Sequence, residues 1–498
     1  MKNETIRAFA KKYDETREQT IDIDAVLPDY YPEVNQILKC SAVLSVESVT
    51  STGDKLSVAG EAQTSIIFTG DNGEIHVYEA SQKYTKVIRC ESLADGDRFF
   101  VSQEVTRLNF KATGPRRLEI RASAAVRAVV YSIHDDEYVS DFEDNTIEQA
   151  CECFNAVAVA CADRASFEIT DTVKLPDGVT NESEVLNASG ELFIRETRVI
   201  KNKVMLKGNC TAEFITVQPD GSVKKFNVDI PFTEIKDMYG ASEEDVCSVS
   251  ASCKNLRLAL KAVSGGNEAA FSAECEAVVF TSKNVSYTVA DDAFSLVGEA
   301  RTETAYAQTV RDIVSVDTTS AVVFDAETYD AAPTELLAAF ADNIRFGCLS
   351  GDENAKLNGT CTLNAVLKNA DGKIFIVGRT AGFECPLPDA DEWFVSVACS
   401  RISAELSADG KVSFSATFSV KGFAVALENK LCVSCCKPVA NSDTKQGSGI
   451  AIYYAREGEK IWNIAKENKC RVSLLKEMNG IDSDETTESR VVIFPVGV

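Results

Sequence analysis

One glycine pair recurs at a fixed separation in three places: Gly60 and Gly73, Gly208 and Gly221, Gly359 and Gly372. The first member ends a short run, Lys55–Gly60, Lys203–Gly208 or Lys356–Gly359. The second closes Asp-Asn-Gly, Pro-Asp-Gly or Ala-Asp-Gly. Between them apolar and polar residues alternate, as in Ala62, Thr64, Ile66 and Phe68, or Cys210, Ala212, Phe214 and Thr216. Alternation is the period of a half-buried strand. An Asp-Gly or Asn-Gly between two such runs marks a hairpin, because the turn needs positive φ and glycine adopts it without steric cost. Copies spaced by about 150 residues, a normal domain size, predict a tandem domain repeat.

The surroundings of each pair repeat as well. Thr20–Asp29 and Phe167–Asp177 read as opening strands that end in Leu27-Pro28-Asp29 and Leu175-Pro176-Asp177; Ala331–Leu337 stands at the matching place in the third copy. After each hairpin comes an aromatic segment, Tyr84–Ile88, Pro231–Ile235 or Phe383–Leu387. Two further strand-like runs follow, joined by Gly114-Pro115, Gly265-Gly266 or Asp409-Gly410. Six or so short strands per unit predict a mainly β chain of three β-sandwich or barrel-like domains, over 20–134, 165–284 and 310–430, the third divergent. Residues 1–19 are a polar segment expected to be helical or frayed. Asp135–Tyr138 and Asp291–Phe294 read as acidic linkers, and over Asn145–Asp163 a helix competes with a strand. Residues 437–449, rich in Ser, Asn, Gly and Lys, read as a flexible linker.

The 498-residue chain carries a formal charge of -25, which argues against nucleic acid or an anionic membrane surface as partner. Arg116-Arg117 is read as a solvated loop. The start has no apolar signal region, and no apolar run approaches the ~18 residues of a membrane span. The 17 cysteines are then expected to be reduced, mostly buried small hydrophobes of a cytosolic protein.

Residues 450–498 follow another pattern. Ile450–Ala455 reads as a strand, Arg456–Glu459 as a turn, and Ile461, Trp462, Ile464 and Ala465 recur at helical spacing up to Asn468. A second helix over Ser473–Met478 stops at Gly480, and Val491–Phe494 closes as a strand: β-α-α-β. Tyr454, Gly458-Glu459, Trp462-Asn-Ile-Ala465, Leu475 with Asn479, and Ile493-Phe-Pro495 resemble the LysM family. The resemblance implies binding of N-acetylglucosamine-containing glycans, including peptidoglycan, in a groove between two loops. The positions that map there are Glu457, Gly458, Glu459, Lys460 and Ile461 on one loop and Asn479, Gly480 and Ile481 on the other. Glu459-Lys460 stands where the family has Asp-Thr, so no hydroxyl caps the first helix. Charged loops, with Ile461 and Ile481 as a desolvated centre if they project between them, suit a protein partner.

The three β units, with the Leu-Pro-Asp strand end and Asp-Ala-Phe-Ser295, resemble the SPOCS domain. Followed by LysM, the order resembles SipL-like spore-coat morphogenetic proteins. This implies a non-catalytic scaffold of the mother-cell cytoplasm, tethering coat to the developing spore through the ATPase of the coat basement layer.

Chemistry-bearing clusters are sparse. His76 and His134 are the only histidines, too few for a typical triad or zinc site. Cys432, Cys435 and Cys436 include a Cys-x-x-Cys, but no second pair follows at zinc-ribbon spacing; Cys151 and Cys153 are weaker still. Asp95 with Asp97, and Glu243–Asp245, read as solvated loop acids. Gly265-Gly266 lacks the Lys-Ser/Thr of a phosphate loop. The expectation is a scaffold that is not an enzyme and has neither cofactor nor metal. The alternative is a peptidoglycan-binding cell-envelope protein; a LysM-targeted cell-wall enzyme lacks a catalytic domain.

Overall fold

The computed structural model describes residues 1–71, 73–260, 268–328, 333–350, 354–439 and 449–496. Strands β1 (Lys2–Val26), β2 (Val34–Thr52), β3 (Lys55–Gly70), β4 (Ile75–Arg89), β5 (Arg98–Gly114) and β6 (Arg117–Asp141) form the first unit. The second has β7 (Ile147–Lys174), β8 (Glu184–Ile200), β9 (Lys203–Val217), β10 (Val223–Asp237), β11 (Val246–Ala259) and β12 (Glu268–Ser295). The third has β13 (Ala300–Thr328), β14 (Pro333–Leu349), β15 (Lys356–Asn369), β16 (Ile374–Pro386), β17 (Glu392–Leu406) and β18 (Lys411–Pro438). Connectivity is the same in all three. Strands two to four form a meander, while the sixth strand lies between the first and the fifth. Apolar residues of the two layers pack between them in each unit, as where Phe383 of β16 stacks on Phe418 of β18 at 3.9 Å.

The glycine pairs hold equivalent places. Gly60, Gly208 and Gly359 each lie mid-strand in the centre of a meander, opposite Tyr84, Phe232 and Phe383. A Cβ at Gly359 would lie 2.1 Å from the Phe383 ring, and one at Gly208 2.1 Å from the Phe193 carbonyl oxygen, so only glycine fits. Gly73, Gly221 and Gly372 turn the hairpins at φ 80°, 78° and 81°.

Outside the sandwiches the first and sixth strands of each unit continue as a two-stranded ribbon. Pairing extends to Lys2 with Asp141, Ile147 with Ser295, and Ala300 with Pro438. The three ribbons pack on one another in successive layers. Phe9, Tyr131, Phe280 and Phe423 fill the first; Ile6, Tyr138, Phe154, Tyr287 and Cys432 the next; Phe142, Ala293, Val433 and Cys436 the last. A second shared core joins the meanders through Ile67, Ile215, Val217, Phe340 and Val366. Polar contacts close the set into a ring. Arg257 donates to the Gln63 side chain at 2.9 Å, Lys421 pairs with Glu191 at 2.8 Å, and Arg345 donates to the Thr106 carbonyl at 3.2 Å. Each unit therefore leans on both others.

Several expectations differ from this arrangement. The polar segment 1–19 is strand, not helix or frayed chain. Its charges pair across to β6, Asp14 with Arg127 at 2.7 Å and Arg7 with Asp135 at 2.9 Å, while Ile6, Ala8 and Phe9 face inward. Asp135–Tyr138 and Asp291–Phe294 are ribbon rather than linker, and 147–163 is strand throughout. The opening strand of the third unit is β13; Pro333 already begins β14. The Gly265-Gly266 turn lies outside the described residues. So does most of the expected linker at 437–449: Lys437 and Pro438 finish β18, and Gly449 opens the tail.

The tail is β19 (Gly449–Ala455), α1 (Ile461–Asn468), α2 (Val472–Asn479) and β20 (Arg490–Val496), with β19 and β20 antiparallel. This is the expected β-α-α-β order.

Candidate functional site

The tail core is Ile461, Ile464, Ala465, Leu475, Ile481, Val492 and Phe494. Helix α1 presents its first, fourth and fifth residues inward, the spacing of an apolar helix face. Lys460 occupies its N-cap without a side-chain hydrogen bond. The orphan donor at Ile461 is met instead by the Asp484 carbonyl of the facing loop, at 2.9 Å. Helix α2 ends on Gly480 at φ 58°, and Ile481 N–H wraps back to the Lys476 carbonyl at 3.0 Å.

The two candidate loops are laced together. Gly458 N–H donates to the Thr486 carbonyl at 2.8 Å, and Glu459 N–H to the Thr486 hydroxyl at 3.1 Å. Thr486 N–H returns to the Glu459 carbonyl at 3.0 Å, and Glu457 N–H reaches Ser489 Oγ at 3.2 Å. Thr486 is buried and also donates to the Arg456 carbonyl. The N–H groups of 457, 458, 459 and 461 are thus already engaged.

The sequence-derived positions divide into four kinds. Ile461 and Ile481 do not project between the loops; they are 0% and 6% exposed in the core, so they are no desolvated interface centre. Their chain positions abut the loops, but each side chain faces the helices. Glu459 and Asn479 are bound internally. Glu459 accepts from Tyr453 Oη at 2.6 Å and Arg456 N–H at 2.9 Å; the Tyr453 bond, then the Arg456 N–H, holds its carboxyl below the usual glutamate range. Asn479 ties α2 to β20, donating to the Ile493 carbonyl at 2.7 Å and accepting from Ile493 N–H at 2.8 Å. Gly458, at φ 79°, and Gly480 shape the turns. Only Glu457 and Lys460 offer exposed charged side chains.

The opposite end of the tail docks on the ribbons. Trp462 packs edge-on against Phe294 at 5.1 Å and donates its Nε1–H to Asp292 at 2.8 Å. Lys466 pairs with the same carboxylate at 2.6 Å. Arg471 donates to the Asn145 carbonyl at 2.9 Å, and Val472 N–H to Glu148 at 3.2 Å. Phe294 and Leu296 complete the tail core. The acidic-aromatic stretch was visible in the sequence, but nothing local tells a linker from a docking strand.

The other clusters are structural. Asp97, expected to be solvated, is buried; it accepts Ala94 N–H at 2.9 Å and pairs with Lys12 at 3.0 Å. Asp245 likewise is buried and accepts Ser242 N–H at 2.8 Å. Both fasten the turn before the fifth strand, so short-range turn chemistry buries them. Cys432 and Cys436 are buried, and Cys435 faces Glu303 at 3.3 Å. All 17 cysteines are free thiols, and burial pushes Cys40 and Cys247 up to about 12. Among the described residues no group of three or more His, Cys, Asp or Glu is placed to hold a metal ion, and no helix is long and apolar enough to cross a membrane.

A SipL, SPOCS-domain family model matches residues 33–113 and 183–261, and a LysM-domain model matches 453–485. The SPOCS matches fall on β2–β5 and on the equivalent β8–β11; the third unit, of the same connectivity, lies outside them. No curated protein and no solved structure gives a significant match to the chain. These domains suggest a sporulation-related protein with a peptidoglycan-binding module. SPOCS regions in a β body followed by a C-terminal LysM domain give the chain a SipL-like architecture.

Proposed function

We propose that this protein is a non-catalytic scaffold of spore-envelope assembly, in which an interlocked SPOCS body holds its LysM domain outward as a protein-docking module. The partner proposed is the ATPase of the coat basement layer, and the setting is the mother-cell cytoplasm at the forespore surface. The lacing of the two LysM loops carries this reading. A sugar groove needs free backbone donors and acceptors for the acetamido group, whereas here four N–H groups of the first loop are already hydrogen-bonded within the domain. What the loops present is charge, Glu457 and Lys460 on one and Asp482, Asp484 and Glu485 on the other. Charge of both signs suits steering and register with a protein surface.

The glycan-binding alternative rests on the LysM match at 453–485. Calorimetric titration of the full chain separates the two. The expected result is binding to the polymerised ATPase, weakened by Lys460→Glu, with no heat from chitin oligomers. Chitin binding at micromolar level without ATPase affinity overturns the proposal.

A further inference from the structure

The LysM domain has a second surface, away from its loops. In the β19–β20 sheet Ile450 pairs with Pro495, Ile452 with Ile493, and Tyr454 with Val491. Because side chains alternate along a strand, these six share the face opposite the helices. Ile450, Ile452, Tyr454 and Val491 are 70%, 73%, 66% and 52% exposed. Ala455, Val492 and Phe494, on the other face, are buried in the tail core. Among the described residues these side chains form one continuous apolar strip across both strands of the sheet.

Size and charge select the occupant. Strands of seven residues give a strip roughly 20 Å long and about 10 Å wide. A stable pair of subunits needs about 800 Å² per partner, several times this strip. Two copies would also bring together two chains of charge -25. One α-helix is about 10 Å across and rises 1.5 Å per residue, so roughly 14 residues cover the strip. The tail is nearly neutral, with seven basic and eight acidic side chains over 450–498, so the negative charge lies on the body behind it. We infer that the exposed face of the β19–β20 sheet is the docking site for one amphipathic helix of a partner protein, apolar toward the strip and basic on its flanks. This rests on the proposal that the LysM domain docks protein, and adds a contact on the sheet to the charged one at the loops.

The test uses the full chain with labelled isoleucine methyls and two synthetic 14-residue helical peptides. Both carry a leucine face; one has lysine and the other glutamate on its polar side. The lysine peptide should shift the Ile450, Ile452 and Ile493 methyl signals and bind more tightly than the glutamate peptide. Ile452→Glu should weaken it at least about tenfold, 1.4 kcal/mol or more; Lys460→Glu should change it less than about twofold. Ile452 is so exposed that its replacement leaves the fold intact, which the remaining methyl signals check. Binding indifferent to Ile452→Glu overturns the inference. So does a concentration-dependent dimer, or adhesion to phosphatidylglycerol vesicles without peptide binding, that Ile452→Glu abolishes. If ATPase binding is lost in Lys460→Glu but kept in Ile452→Glu, the sheet assignment fails while the protein-docking proposal stands. If chitin binds and the ATPase does not, the docking proposal itself fails.

Discussion

Phe280, where the ribbons begin, lies within ring contact of Phe9 and Phe100 of the first unit and Phe394 and Phe423 of the third, at 4.8 to 5.9 Å. Trp462, in the tail, meets one ring of the body and one carboxylate. The first contact is fully buried and built from all three units; the second is a half-buried latch at the edge of a domain with its own core. A scaffold gains from this asymmetry. Units that share one core cannot swing as beads on a string, whereas a module latched by a few contacts keeps its outer surfaces free.

Breaking the shared core should have the largest effect. Phe280→Ala should cost about 3–5 kcal/mol, the usual range for a buried aromatic. The loss should appear together in fluorescence probes placed in all three units during denaturant unfolding. Independent transitions would mean that the units are separate domains after all.

The repeat glycines sharpen the comparison within the body. Gly208→Ala and Gly359→Ala place a Cβ 2.1 Å from backbone oxygen and from the Phe383 ring, whereas at Gly60 the nearest atom is 2.7 Å away. The first two should cost about 1–3 kcal/mol through forced shifts, and Gly60→Ala less. Thermal melts of the three variants read the order directly.

The latch comes next. Asp292→Ala removes the acceptor of Trp462 and the partner of Lys466, both half-exposed, and should cost about 1 kcal/mol or less after solvent screening. It should also loosen the tail's hold on the ribbons, seen as loss of the Trp462 fluorescence signature. The smallest effect is electrostatic. The Glu459 carboxyl is held down by Tyr453 and Arg456 N–H, so its contribution is present above the ordinary glutamate value of 4.5 and is lost as pH falls through its lowered folded value. A melt of the tail against pH should drop in that acid range in the native chain and flatten in Glu459→Gln.

How much of this was legible in the sequence depends on range. Hairpins were, because Gly73, Gly221 and Gly372 encode their turns locally. The tail order was, because Trp462, Ile464, Leu475 and Gly480 fix helix faces and a helix end. The ribbons were not. Asp14, Asp22, Asp135 and Asp292 look like surface or linker residues until the partner strand, 99 to 128 positions away, supplies Arg127, Arg121 and Arg7, or until the tail supplies Trp462 and Lys466. Ile461 and Ile481 show the same limit at short range. Family spacing placed them at the loops, but which way each side chain faces follows from the helix phase and the Schellman turn at Gly480.

The most direct test of the interlocked body is hydrogen exchange on the full chain. Amides at Val129–Tyr131, Val278–Phe280 and Phe423–Val425, one stretch per unit, should share a single slowest exchange rate and should lose it together in Phe280→Ala. Three different rates, with only the second unit answering to that substitution, would contradict the account.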